Sequence, residues 1–242
     1  MSSVKFLTLL TCICIGLTYV AFQISKSTRF QFFGELVARG PIDCPRVALT
    51  LDDGPSTKYT ASVLQTLARH NVQATFFLTG DAATAHPELV SMIASAGHEI
   101  GNHSFSHPRM IGMRQATIAR EIEDTDTAIR NAGYDGPLHF RPPFGKRFLG
   151  LPYYLKKTNR LTVLWDISAE TDPTRTKDPN EIAQRTIDAS QNGSIILLHV
   201  MFNSRQGSRD ALPKIIEGIR AKGLEFATIS DLIDPQNCPA AK

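Results

Sequence analysis

No run of five or more lysines and arginines occurs in this chain, and positive charge exceeds negative by only three. A protein that tracks a phosphate backbone needs a denser cationic stripe, so nucleic acid is not expected as a partner. No G-x-G-x-x-G turn closes the first apolar strand, which argues against an open dinucleotide-binding sheet. No internal repeat and no low-complexity segment is present. With 242 residues, 42% of them hydrophobic, the chain can bury a full core, and a single α/β barrel routinely has this length.

The stretch Phe6 to Ile24, FLTLLTCICIGLTYVAFQI, carries no charge. As a helix it would span roughly 28 Å, close to the ~30 Å core of a bilayer. What is missing after it is the A-x-A-like pattern of small residues at which a signal peptide is cut; the chain runs on through Gln23, Ser25 and Lys26. Residues 1–24 are therefore expected to form an uncleaved membrane anchor, the alternative being a cleaved signal and a secreted product. Lys5 and the amino terminus on one side face Lys26 and Arg29 on the other, so charge does not orient the segment. Residues 25–43, with Gly34, Gly40 and Pro41 and no periodicity, read as a tether. Residues 44–242 read as one catalytic domain.

In that domain short β-branched runs alternate with helical stretches. The runs 47–51, 74–79, 98–101, 139–141, 161–167, 194–200 and 225–229 are expected strands, and 59–70, 87–96, 114–132, 180–190 and 208–222 are expected helices. This alternation predicts an α/β fold with a parallel sheet covered by helices, and a barrel of about seven strands is favoured. Asp52, Asp53, His103, Arg141 and His199 all fall at or near strand ends, so they converge on one rim, where a parallel barrel builds its site.

Thr50-Leu51-Asp52-Asp53-Gly54-Pro55 sets two adjacent carboxylates at the end of the first strand. Alternation sends strand neighbours to opposite faces, and the Gly-Pro turn is expected to relieve that. Two carboxylates in one site repel unless a cation or proton intervenes, which suits one bound to a metal and one free to accept a proton. In Gly101-Asn102-His103-Ser104-Phe105-Ser106-His107-Pro108 two imidazoles lie four apart, and Pro108 favours a loop over a helix there. With Asp53 they offer two nitrogens and one oxygen, a set that suits zinc and leaves positions open for water and substrate. Phe140-Arg141-Pro142-Pro143-Phe144-Gly145 is stiffened by two prolines; Arg141 can hold a carboxylate ionised, and the loop can aim a backbone N–H at an oxyanion. His199 ends the apolar strand Ser194–Val200. His70, His86, His98 and His139 carry only ordinary structural readings.

Taken together, TLDDGP, HSFSH, RPPFG and the strand ending LLH, in that order, resemble the polysaccharide deacetylase family, the NodB-homology or carbohydrate esterase 4 hydrolases. The resemblance covers roughly Val47 to Leu232 and implies a distorted (β/α) barrel with fewer than eight strands. It implies Asp52 as general base, Asp53, His103 and His107 as ligands of one divalent ion (zinc, cobalt or another), Arg141 as the residue holding the base, and His199 as general acid. Pro143, Phe144 and Trp165 would lie on the substrate and oxyanion side, Phe144 through its backbone N–H. The implied reaction is removal of an N-acetyl group from an N-acetylglucosamine polymer or oligomer, of peptidoglycan or chitin type. An O-acetyl ester or a cyclic imide on the same site is an alternative, as is an inactive carbohydrate-binding relative.

The fourth motif departs from the family pattern. Relatives carry an Asp three residues after the strand's Trp and a second Trp; this chain reads Trp165-Asp166-Ile167-Ser168-Ala169-Glu170-Thr171-Asp172-Pro173. Asp166 and Glu170 are both candidates to orient His199. A cell-wall substrate places the domain outside the cytoplasm, on the oxidising side of the membrane. There Cys44, before the first strand, and Cys238, after the last, are expected to pair, because first and last strands of a barrel lie close together.

Overall fold

The computed structural model describes residues 3–171 and 178–238, so Asp172 and Pro173 lie outside the described residues. Seven strands are found among them: β1 (Leu36–Val37), β2 (Arg46–Gly54), β3 (Thr75–Leu78), β4 (Glu99–Asn102), β5 (Thr162–Val163), β6 (Ile195–His199) and β7 (Glu225–Ala227). The helices are α1 (Ser3–Ser25), α2 (Thr60–Arg69), α3 (Gly80–Ala85), α4 (Pro87–Ser95), α5 (Gln115–Asn131), α6 (Gly150–Lys157), α7 (Pro179–Ala189), α8 (Gln206–Ala221) and α9 (Ile229–Ile233).

All strand pairs are parallel, in the order β4-β3-β2-β6, with β7 against the first residues of β2 and β5 beside β1. Single parallel bridges, Asn102 to Phe140, Phe140 to Thr162 and Ile167 to Ile196, close the circuit from β4 back to β6. The result is a distorted (β/α) barrel. Residues 139–141, expected as a strand, contribute only the bridging residue Phe140. Pro142 and Pro143 follow at once, and a residue without an N–H cannot extend a ladder. The seventh strand is instead β1, inside the segment expected to be a tether.

Alternation along β2 sorts its side chains. Val47, Leu49 and Leu51 face an outer core shared with Val63, Leu64 and Leu67 of α2 and Ile215, Ile216 and Ile219 of α8. Those helical positions recur at three- and four-residue spacing, the stripe a helix needs to bury one face. Ala48 faces the barrel interior with Phe77, Val163 and Ile195, and Thr50 and Asp52 follow on that same face. Phe77 fills the interior so closely that a Cβ on Gly101 would lie 2.5 Å from its ring.

Residues 25–43 pack as a strap on the barrel. β1 pairs with β5, and Gly40 donates its N–H to Gly193 O at 2.7 Å. Arg147 is buried and turns two of its nitrogens to the strap: Nη2 to Ser27 O at 2.7 Å and Phe30 O at 2.9 Å, Nε to Gln31 Oε1 at 3.1 Å. Burial lowers its pKa to about 10. Cys44 and Cys238 are bridged by a disulfide, their Cα atoms 5.4 Å apart. In α1 the stretch Lys5–Ser25 is long and apolar enough to cross a membrane.

Candidate active site

The two carboxylates converge because of a bulge inside the strand rather than a turn after it. β2 continues through Gly54, and its register against β3 shifts between Asp52 and Gly54. Asp53 sits in the left-handed region at φ 67°, where Asp is tolerated better than most residues. Asp52 Oδ2 and Asp53 Oδ1 therefore both approach His103 Nε2, at 3.6 and 3.4 Å.

His103 follows β4 directly. Its backbone N–H is held by Leu78 O at 2.9 Å, and its ring Nδ1 lies 2.7 Å from the carbonyl of Arg141. A carbonyl accepts only, so Nδ1 carries a proton, and Nε2 is the ring atom turned toward Asp53. The loop then turns through left-handed Ser104 and His107, bringing His107 Nε2 to 3.2 Å from Asp53 Oδ1. Two residues that local sequence did not single out hold this loop. Glu121 of α5 accepts the N–H groups of Phe105 and Ser106, each at 2.9 Å, and the Ser106 hydroxyl at 2.7 Å. Asn102 accepts from Ser104 N at 2.8 Å and donates to Ile122 O at 2.8 Å and Asp126 Oδ1 at 2.7 Å.

One ligand atom each from Asp53, His103 and His107 lies within 4.8 Å of the others. Asp53 Oδ1 is buried with no hydrogen-bond partner, which is costly for an anionic oxygen unless a cation sits against it. Burial alone would raise the Asp53 carboxyl, but His103, His199 and His107 outweigh it and hold the pKa at about 2. Burial keeps His107 below its ordinary value. An ionised carboxylate beside two imidazole nitrogens is the donor set a divalent metal takes, the metal displacing any proton on those nitrogens, so these residues fit such an ion.

On the interior side, Arg141 is fully buried and gives Nη1 to both Asp52 Oδ1 and Thr50 Oγ1 at 2.7 Å, with Nη2 on Leu164 O at 3.0 Å. Its guanidinium lies 4.0 Å over the Phe77 ring. Burial lowers its pKa and Asp52 only partly restores it. With Oδ1 taken by Arg141, Asp52 presents Oδ2 to the site.

His199 ends β6 with Nε2 3.6 Å from Asp53 Oδ2. Of the two candidate partners, Glu170 is the one in contact: Oε1 lies 2.5 Å from His199 Nδ1 and accepts its backbone N–H at 2.6 Å. Ser208, at the start of α8, donates to the other Glu170 oxygen. Asp166 instead caps the start of β6, accepting from Ile195 N at 2.7 Å and Ser194 Oγ at 3.1 Å. Burial pulls the His199 imidazolium down, but Glu170, Asp52 and Asp53 prevail and lift its pKa above 6.5. His98 is neutral, burial lowering it to about 4, and His139 sits against Ser230 and Glu99; neither reaches the site.

A cleft of about 670 Å³ opens over Asp53 and His107, lined also by Phe144, Thr79 and Phe202 among others. Phe144, left-handed at φ 57°, lays its ring 4.6 Å from that of His107. Pro143 is buried and Trp165 partly buried, and neither lines the cleft. Trp165 instead backs the 141–145 loop, 5.6 Å from the Arg141 guanidinium.

Residues 39–162 match the family model described as polysaccharide deacetylase. A peptidoglycan-N-acetylglucosamine deacetylase of Bacillus cereus is 37% identical over 80% of this chain and 70% of its own. The peptidoglycan-N-acetylmuramic acid deacetylase PdaC of Bacillus subtilis is 32% identical, covering 81% of this chain, which spans only 40% of that relative. Among solved structures, the peptidoglycan N-acetylglucosamine deacetylase Bc1960 superimposes with a TM-score of 0.77 at 32% identity, over 85% of this chain and 94% of that one. With Asp52, Asp53, His103, His107, Arg141 and His199 converging on one rim of a distorted barrel, the chain belongs to the polysaccharide deacetylase family of hydrolases.

Proposed function

We propose that this chain is a metal-dependent N-deacetylase acting on N-acetylglucosamine-containing glycan of peptidoglycan type, held at the outer face of the membrane by α1. The observation that carries the reading is the buried, unpartnered Asp53 Oδ1 facing His103 Nε2 and His107 Nε2. A zinc ion, or cobalt in its place, held there would polarise the acetyl carbonyl and acidify water. Asp52 Oδ2, turned into the site because Arg141 occupies Oδ1, takes a proton from the attacking water. His199, kept protonated by Glu170, gives one from Nε2 to the departing sugar nitrogen. Water and amide thus become acetate and a free amine. The stiff 141–145 loop supports an oxyanion through the Phe144 backbone N–H.

The names of the relatives support a wall glycan as substrate. Acetate release by the zinc-loaded full chain from N-acetyl chitooligosaccharides, peptidoglycan and acetylated xylan tests the reading. Release from the N-acetylated glycans is expected. Release from xylan alone would make the chain an O-acetyl esterase, and no release from any substrate by metal-loaded protein would make it an inactive relative.

A further inference from the structure

The chain just after the 141–145 loop is tied to the end of the apolar helix. Arg147 holds the carbonyls of Ser27 and Phe30, and its own backbone N–H donates to Ser25 O at 3.1 Å. Lys146 Nζ lies 5.3 Å from the ring of Phe22, in the last turn of α1, and Lys26 Nζ lies 5.0 Å from the same ring. If α1 spans a bilayer, its last turn is at the headgroup level, and Lys146 is there with it.

An aromatic patch runs on from that point. Phe32 packs edge-on against Phe148 at 5.5 Å and Phe30 at 5.3 Å, and Phe33 against Tyr153 at 5.7 Å. Phe30, Phe32 and Tyr153 are nevertheless 49, 40 and 51% exposed. Exposed apolar rings beside cations, with one tyrosine among them, are the composition of a face that lies in a membrane interface. The cations crowd one another: burial first, then the charges of Lys26 and Arg109, lower the pKa of Lys146. Among the described residues no carboxylate pairs with Lys26, Arg29 or Lys146, so this cationic collar has its counter-charge still to meet.

We infer that this face of the catalytic domain rests on the bilayer, with anionic phospholipid headgroups as its partner, and that the cleft is thereby held at the membrane surface. The inference rests on the proposed anchoring by α1. Phe144, two residues before Lys146, lines the cleft, and Arg109, whose charge bears on Lys146, lies 5.2 Å over its ring. The glycan such a cleft meets first is the membrane-proximal part of the wall.

The test uses the full chain in nanodiscs, with Cys12 and Cys14 replaced by serine and single cysteines introduced as Phe32→Cys, Tyr153→Cys or, at an exposed position of α8 outside the patch, Glu217→Cys. Labelling by a membrane-impermeant maleimide is followed in phosphatidylcholine with and without phosphatidylglycerol. With phosphatidylglycerol, positions 32 and 153 should label about tenfold or more slowly than 217, given the attraction of each basic residue to an anionic surface. High salt, or Lys26→Glu with Arg29→Glu and Lys146→Glu, should restore the rate. Equal rates at all three positions would overturn the inference, and slow labelling in both lipids would remove the anionic partner. Carbonate extraction of cell membranes separates the two readings: an extracted chain defeats the anchor and this inference with it, whereas a retained chain with equal labelling defeats this inference alone.

Discussion

Glu170 takes both the ring Nδ1–H and the backbone N–H of His199 on one carboxylate oxygen. A single acid therefore fixes the ring's rotation and its charge together. Glu170→Gln should move the alkaline limb of the pH–rate profile to lower pH, because His199 must be protonated to act and loses the partner that lifts its pKa. The same pairing stabilises the fold below pH 6.5 and that contribution is lost as pH rises through the folded-state value. Asp166→Asn, which touches the start of β6 and Arg39 rather than His199, should leave the limb in place. An unmoved limb in Glu170→Gln would show that another group serves His199.

Chelation should abolish activity, and zinc or cobalt should restore it. Asp52→Asn should lose activity by about 10²-fold or more while keeping its metal, whereas His103→Ala should lose both. Metal content and acetate release, measured on the same preparations, decide this. Equal metal loss in the two variants would remove the division of roles between the two groups.

Glu121 reaches no ligand and yet carries the loop between His103 and His107 on three hydrogen bonds. Glu121→Ala should weaken metal affinity by about 10- to 100-fold, the size of effect typical of groups that orient ligands. Metal competition against a chromogenic chelator reads this directly. Unchanged affinity would mean that Asn102 and the left-handed residues hold the loop unaided.

Arg141→Met would strand the Asp52 carboxylate in the barrel interior. Both side chains are shielded from water, so removing one partner should cost about 3–5 kcal/mol of stability in addition to activity. Urea unfolding of the folded variant measures it. A loss below about 1 kcal/mol, typical of an exposed pair, would contradict the burial.

Unfolded, unreduced protein with Cys12 and Cys14 replaced should show no reactive thiol, and two after reduction. The bridge closes 194 residues of chain, worth about 5 kcal/mol as an upper figure on the chain-entropy model. Two reactive thiols before reduction would remove the bridge.

What was legible in the sequence was whatever chemistry concentrates locally. Asp52, Asp53, His103, His107, Arg141 and His199 stand at strand ends in short motifs, and the structure brings all six together. Glu121 was invisible because an acid on an amphipathic helix looks like a solvated surface residue, and only the fold shows what it faces. The sequence points to the Gly-Pro turn as the cause of the convergence of two neighbouring carboxylates, whereas the left-handed Asp53 achieves it within β2. Two-residue β1 leaves no periodicity to read, so a packed strap looked like a tether. Asp166 and Glu170 could not be separated by spacing, because which of them meets His199 depends on how the chain leaves β5.

Gly101 touches no substrate and no proposed ligand, yet the ring of Phe77 occupies the space its side chain would need, and that ring is the floor on which the Arg141 guanidinium lies. A methyl group added at 101 would push the floor, the floor would tilt the guanidinium, and the guanidinium would carry Asp52 with it. The barrel interior thus works as a short train of levers with no slack. Damage at its far end should register in turnover while the outer core, built from the opposite face of the same strands, keeps the molecule folded.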